Sequence, residues 1–349
     1  MESTVASVWV VVSTMISFLV TYFSGKKIIP YLHKLKYGQT ILEIGPSWHK
    51  NKQGTPTMGG IIFILGIYLS IIAVMPLYYF LTAKGNMRLQ EPPLMVLKII
   101  SGLLMALAYG AIGFLDDYVK VVKKRNLGLT ALQKLIMQFL VVGSYLLSLY
   151  CAEVLQEGGN ATSTIIPFFG KVNFGIFYWP MAALLIVGMV NAVNLTDGID
   201  GLCTSITFFV AIFFMLIAGF LSMMNLSIVT GALIGGCFGF LIFNMHPARV
   251  FMGDTGSLFL GGLICAIAFT MDMPILLPII GIMYVLEMFS VILQVTYFKV
   301  TKGKRLFKMS PLHHHFEICG WSETKLCLVF DVITVFFGIL ATVLVVCGL

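Results

Sequence analysis

The chain has 349 residues, of which 59% are apolar and only 11% charged, with a mean hydropathy of +0.98. Soluble domains carry about 25% charged residues, so the soluble classes are excluded. The net charge of +7 would suggest nucleic acid in a soluble protein, but here it follows from membrane topology and attraction to anionic lipid, and no nucleic-acid partner is expected.

Stretches of ~20 apolar residues cross the hydrocarbon core, and ten occur, at 7–32, 58–80, 94–115, 131–152, 177–195, 203–222, 227–244, 257–273, 275–299 and 326–348. Hydrocarbon offers no partner to an unpaired amide, so these are helices packed in a bundle. The expected fold is all-α and polytopic, in one domain, 1–349. No basic segment precedes the first span and no small-residue cleavage site follows it, so it is expected to be retained as a helix. Of the 22 lysines and arginines, all but Lys84, Arg88, Lys98 and Lys171 fall on one set of helix ends. Those ends are expected in the cytoplasm, with both termini outside. The longest external segment, 153–176, has an alternating stretch from Thr164 to Phe177 with a Gly170-Lys171 turn, which predicts a small β-hairpin without chemistry. Seven cysteines, at 151, 203, 237, 265, 319, 327 and 347, lack the spacing of a zinc site or disulfide framework and are expected to be free and mostly buried.

Polar residues gather in five cytoplasmic segments. The first, Gly45 to Gly60, runs into the second helix, where Thr55, Thr57 and two lysines beside a helix N-terminus suit a phosphate or nucleotide. An ordinary helix entrance with topogenic lysines accounts for the same residues equally well. The second, Asp116 to Lys120, ends the third helix with adjacent carboxylates. Their repulsion calls for a cation, commonly Mg²⁺, and Lys120 can reach either one on a helix. A solvated helix end with a local ion pair competes, against the cost of acids near membrane segments.

In the third segment Asn191, Asn194, Asp197 and Asp200 recur every three residues, which in a helix lines a polar cleft. An interhelical hydrogen-bond ladder would need fewer such groups. The fourth, Asn244 to Ser257, places Asp254 in a glycine-flanked turn before the eighth helix, open to a ligand or metal or serving as a cap; Phe251 beside it either stacks on a base or packs. The fifth, Lys302 to Glu323, holds His313, His314 and His315. Three consecutive histidines cannot share one direction on a helix, so one or two face a ligand while another packs or bonds to backbone. Pyrophosphate or sugar suits them better than zinc, because the carboxylate-rich partners favour a hard cation. Glu287 and Gln294, seven residues apart in the ninth helix, are expected to point into the bundle. No phosphate-binding G-x-x-x-x-G-K-[ST] loop is present, which excludes a nucleotide-driven pump, and there is no serine nucleophile elbow.

K-x-G-T-P-T-M-G-G at Lys52 to Gly60, L-D-D at Leu115 to Asp117, N-x-x-N-x-T-D-G-x-D-G-L at Asn191 to Leu202, F-M-G-D-T-G-S at Phe251 to Ser257 and P-L-H-H-H-F-E at Pro311 to Glu317 together closely resemble the bacterial phospho-N-acetylmuramoyl-pentapeptide transferases. The wider family of polyprenyl-phosphate N-acetylhexosamine-1-phosphate transferases shares the carboxylates, whereas the first and last motifs point to the muramoyl-pentapeptide member. The resemblance covers essentially the whole chain. It implies transfer of phospho-MurNAc-pentapeptide from UDP-MurNAc-pentapeptide to undecaprenyl phosphate, giving lipid I and UMP with Mg²⁺. It also implies a multi-pass protein of the bacterial inner membrane, its active site facing the cytoplasm, and, at family level, a homodimer. By the same resemblance Asp254 ligates Mg²⁺ with Asp117 near it, and Asp116 and Asp117 position or activate the lipid phosphate. Lys52, Thr57, Asn191, Asn194, Asp197 and Phe251 surround the uridine or its phosphates, and Lys120, Asp200 and Gln294 join the substrate-binding set. His313, as a catalytic group, and His314 contact the pyrophosphate or sugar. A one-step and a two-step route through an aspartyl adduct are both open. The competing readings are a relative that uses UDP-GlcNAc and a secondary transporter, which would place its polar groups near the midplane.

Overall fold

The computed structural model describes residues 2–34, 52, 54–84, 93–122, 128–154 and 159–349. Half of the segment 45–60, residues 45–51 and 53, and the basic residues Lys36, Arg88, Lys123, Lys124 and Arg125 lie outside the described residues. Among those described, ten helices are long and apolar enough to cross a membrane. They are α1 (Glu2–Lys34), α2 (Gly60–Lys84), α3 (Pro93–Val122), α4 (Ala131–Val154), α5 (Tyr178–Thr196), α6 (Leu202–Phe220), α7 (Met224–Asn244), α8 (Gly253–Thr270), α10 (Ile282–Val300) and α12 (Glu323–Gly348). Two shorter helices, α9 (Leu276–Ile280) and α11 (Leu312–Ile318), complete the set.

Helices that are apolar on every side belong at the centre of a bundle. Accordingly α7 and α8 are buried along nearly their whole length. Helix α8 packs against α3, α5 and α2, and α7 against α1, α6 and α2. Close approach comes from small residues, as membrane helices require: a Cβ at Gly235 would overlap the backbone of Thr14, and one at Gly261 that of Val190. Hydroxyls add glue, with Ser13 donating to the Ile228 carbonyl at 2.9 Å and Ser17 to Ala232 at 2.6 Å. The outer helices turn large apolar side chains away from the core, among them Leu286, Phe289 and Leu293 of α10. The four cysteines at 203, 237, 265 and 327 are buried, and all seven are free.

Two expectations need correction. The ninth span is not one helix over 275–299: Pro278 brings no N–H to a continuing ladder, and Gly281 leaves the helical region at φ −88, ψ 28, so α9 ends there and α10 begins at Ile282. In the hairpin, β1 (Ser163–Ile166) pairs antiparallel with β2 (Gly170–Asn173), Ile166 facing Gly170. Gly170 and Lys171 therefore lie inside a strand. The turn is Pro167-Phe168-Phe169, with Phe168 at φ 69, because proline ends the ladder. The hairpin docks on the bundle through the Asp272 carbonyl, which accepts from Ile165 N–H at 2.7 Å and Thr164 Oγ1 at 2.8 Å, and through Gly348 O, which accepts from Phe168 N–H at 3.0 Å.

Candidate active site

At the end of the bundle opposite the hairpin, two stretches far apart in sequence form the floor of a polar site. Phe251 N–H donates to Pro56 O at 2.9 Å, Gly59 N–H to Phe251 O at 2.8 Å and Gly60 N–H to Met252 O at 3.0 Å. This pairing sets the N-termini of α2 and α8 side by side. Any side chain at Gly60 would overlap the backbone of Gly256, so the paired glycines of the first motif serve close helix contact. Gly253 adopts φ 70, a region that glycine enters freely, and sits between Thr57 and Asp117. Helix α8 starts at Gly253, so Asp254 stands in its first turn and not in a turn before it.

Helix α3 does not end at its carboxylates but runs on to Val122, so Asp116, Asp117 and Lys120 all project from helix. Asp117 caps the neighbouring helix: its carboxylate accepts from Asp254 N–H at 3.2 Å, Thr255 N–H at 2.9 Å and Thr255 Oγ1 at 2.7 Å. A negative group is stabilised at that position by the α8 dipole. Capping, the alternative weighed for Asp254, is thus performed by Asp117 from another helix. Asp254 instead accepts from Lys134 Nζ at 2.7 Å, Lys120 Nζ at 3.1 Å and Asn194 Nδ2 at 2.9 Å. Asp116, 2% exposed, accepts from Leu129 N–H at 2.8 Å. Its Oδ2 is paired with Lys120 at 2.6 Å and Lys134 at 3.5 Å. Each of the three aspartates offers an oxygen, all within 4.8 Å of one another. Three carboxylates facing two ammonium groups leave negative charge uncompensated, and hard oxygen donors so grouped fit a small divalent cation.

A second cluster lies on the same face. Lys52 Nζ reaches Asp200 Oδ1 at 2.7 Å and Glu323 Oε1 at 2.6 Å. Glu323 also accepts from Asp200 N–H at 2.9 Å, and Asp200 Oδ2 faces His246 Nδ1 at 3.1 Å and accepts from Ala248 N–H at 2.9 Å. The three-residue series expected to line one cleft divides because α5 ends at Thr196. Asn191 pairs its amide with Gln138 at 2.7 Å, Asn194 reaches Asp254, and Asp200 joins Lys52. Between them, the Asp197 carboxylate makes no hydrogen bond among the described residues. Burial, reinforced by the negative charges of Asp254, Asp117 and Asp200, holds it well above the usual carboxylate range.

A third group comes from α10 and α11. Gln294 and Glu287 do point inward, but the Gln294 amide is engaged by backbone: Oε1 accepts from Leu306 N–H at 3.0 Å and Phe307 N–H at 2.8 Å, and Nε2 donates to Phe307 O at 3.1 Å. The histidines diverge. His315 accepts from Lys308 N–H at 3.1 Å, His314 pairs with Glu317 at 2.7 Å, and His313 is fully enclosed beside Glu287. Phe251 is half-buried, its backbone tied to the first motif.

Asp116, Asp117, Lys120, Asn194 and Asp254 therefore meet directly. Lys134, Gln138, His246 and Glu323 make contacts in the same polar clusters but stand out in no motif. Lys134 reads only as a topogenic lysine, although with Gln138 it forms an i, i+4 polar stripe on an apolar helix, which is a usable signal.

Comparisons with known proteins identify relatives of this chain. The model for glycosyl transferase family 4 matches residues 99–272, which include Asp116, Asp117, Asn194 and Asp254. Signature 1 of phospho-N-acetylmuramoyl-pentapeptide-transferase matches residues 52–64, from Lys52 through the Gly59-Gly60 contact. A phospho-N-acetylmuramoyl-pentapeptide-transferase of Clostridium perfringens is 46% identical over 333 residues, covering 95% of this chain and 97% of its own length. That of Caldanaerobacter subterraneus is 44% identical over 328 residues, covering 93% and 95%, and that of Heliobacterium modesticaldum 46% over 321, covering 90% and 92%. The chain belongs to the phospho-N-acetylmuramoyl-pentapeptide transferases, a family of multi-pass membrane enzymes that transfer a phosphosugar.

Proposed function

We propose that the chain works at the cytoplasmic face of the bacterial inner membrane, moving phospho-MurNAc-pentapeptide from UDP-MurNAc-pentapeptide to undecaprenyl phosphate. An oxygen of the lipid phosphate attacks the phosphorus that bears the sugar. The bond between that phosphorus and the bridging oxygen breaks, UMP leaves with the bridging oxygen, and lipid I is formed. The observation that carries this reading is the meeting of Asp116, Asp117 and Asp254 with Lys120 and Lys134 at helix ends. A lipid phosphate and a water-soluble nucleotide meet at that depth. A transporter would place such groups near the midplane.

Phosphoryl transfer depends on positioning and charge neutralisation more than on a strong base. A phosphate monoester has a second pKa of about 6, so the acceptor is already largely dianionic at neutral pH. Asp116, anchored by Leu129 N–H, then serves to orient and not to deprotonate. Asp254 and Asp117 would hold Mg²⁺ with Asp116 beside them. When bound, the ion neutralises pyrophosphate oxygens as charge moves to the leaving UMP. Lys120 and Lys134 are placed to pass from carboxylate to phosphate oxygens as substrate enters. Lys52, Thr57, Asn191, Asn194, Asp197, Asp200 and Phe251 line the nucleotide side.

The test is UMP release by detergent-purified protein given UDP-MurNAc-pentapeptide, undecaprenyl phosphate and Mg²⁺. Release that disappears with EDTA and in Asp254→Asn supports the reading. Lipid-dependent release from UDP-GlcNAc alone would assign the substrate to the sister enzymes. Absence of release from either sugar in active lipid would overturn the transferase chemistry.

A further inference from the structure

The geometry points to Glu287 and His313 as positioning residues for the loop that carries Asp197 and Asp200, an inference that rests on the transferase reading above. The two side chains come from α10 and α11, and each is 0% exposed. Glu287 Oε1 accepts the backbone N–H of His313 at 3.2 Å, which fixes the start of α11. Oε2 of the same carboxylate lies 3.2 Å from His313 Nδ1. Among the described residues neither ring nitrogen makes a hydrogen bond, and Nε2 abuts Gly198, where any Cβ would overlap the ring.

Gly198 joins Asp197 to the turn that ends at Asp200. The imidazole is thus a wall on which this loop rests. The loop's opposite side is clamped by Lys52 on Asp200 at 2.7 Å and by Asp200 N–H on Glu323 at 2.9 Å. Asp197, whose carboxylate makes no hydrogen bond among the described residues, takes its place from these two supports. A fully buried histidine with neither ring nitrogen bonded is costly where only volume is needed. Glu287 gives that cost a use: it sets the height of α11 and the direction of the ring together. His313 then acts through Gly198 and does not touch substrate.

The test uses full-length protein in detergent, with three readouts: affinity for UDP-MurNAc-pentapeptide by calorimetry, hydrogen exchange across residues 194–202, and thermal unfolding. Gly198→Ala is expected to weaken nucleotide-sugar affinity by about tenfold, the scale of coupling between contacting residues, and to raise exchange across 194–202. Removing the ring relieves the overlap, so Gly198→Ala with His313→Ala should bind no worse than His313→Ala alone. Glu287→Gln keeps the side-chain shape and should loosen the same loop to a smaller degree with thermal stability retained, which keeps the test decisive if Gly198→Ala fails to fold. Losses that multiply in the double variant would show His313 acting on substrate independently and overturn the inference. Unchanged exchange at 194–202 in Glu287→Gln and His313→Ala would overturn it as well. Hydrogen exchange needs no substrate, so a wild-type protein without turnover would count against the transferase reading and leave the loop result standing.

Discussion

Both ends of the bundle hold lysines gripped by carboxylates, yet the two clusters are built differently. At the hairpin end, Lys98 is held by Glu153 at 2.6 Å and Asp272 at 2.9 Å, and the Asp272 carbonyl anchors the β-hairpin. Each group there has a partner, and the result ties α3, α4, the segment after α8 and the hairpin together. At the opposite end three carboxylates share two lysines. A polar cluster in an apolar bundle is therefore not by itself a site. On the proposed function, incomplete neutralisation at a depth that water-soluble substrate can reach separates chemistry from fastening.

Substitutions can break or sharpen that contrast. The largest expected effect is at Asp254: Asp254→Asn should lower turnover by on the order of 10³-fold, the scale of losing a key electrostatic contact in the transition state, while thermal unfolding in detergent stays near wild type. A large fall in stability instead would make both ends structural. Next, Lys98→Met strands two carboxylates, so it should cost about 3 kcal/mol, the low end for breaking a buried pair, because the Asp272 side chain is 43% exposed. Calorimetric unfolding checks this, with UMP release expected to remain close to wild type. Lys134→Gln should reduce UMP release by roughly 10²-fold with little change in melting temperature; the reverse pattern would place Lys134 with Lys98.

The smallest effect is expected at Asp197, whose carboxyl is held high by burial. A raised folded-state pKa means that ionisation costs stability in full above that pKa, and the cost fades as pH falls from the folded to the unfolded value. Asp197→Asn should therefore unfold at a higher temperature than wild type in alkaline buffer, and the gap should close on acidification. Melting curves across a pH series decide it, and a gap that widens in acid would contradict the burial argument.

The helices are legible in the sequence because a span of hydrocarbon demands a fixed length of apolar chain, and each run meets it. The break at Gly281 is not, since Pro278 and Gly281 sit inside an unbroken apolar run and mark the kink only by backbone geometry. The aspartates stand out because charge is rare in this chain. Glu323 and His246 do not, because the groups they meet, Lys52 and Asp200 for Glu323 and Asp200 for His246, lie far away in sequence and the contacts depend on packing that no local spacing encodes. The direction of His313 is equally hidden: successive residues on a helix point about 100° apart, and only the position of α10 decides which histidine turns inward.

The backbone pairing of Pro56, Gly59 and Gly60 with Phe251 and Met252 bears on biogenesis. Helix α2 emerges from the ribosome and enters the bilayer long before α8 exists, so the N–H groups of Gly59 and Gly60 must wait for acceptors that have yet to be translated. Lys52 likewise waits for Glu323, at the start of the final spanning helix. Because these groups sit at helix ends, water satisfies them meanwhile, whereas at the midplane the same delay would leave amides bare in hydrocarbon. A polypeptide interrupted before α12 can insert most of its spans and still lack the Lys52–Glu323 contact.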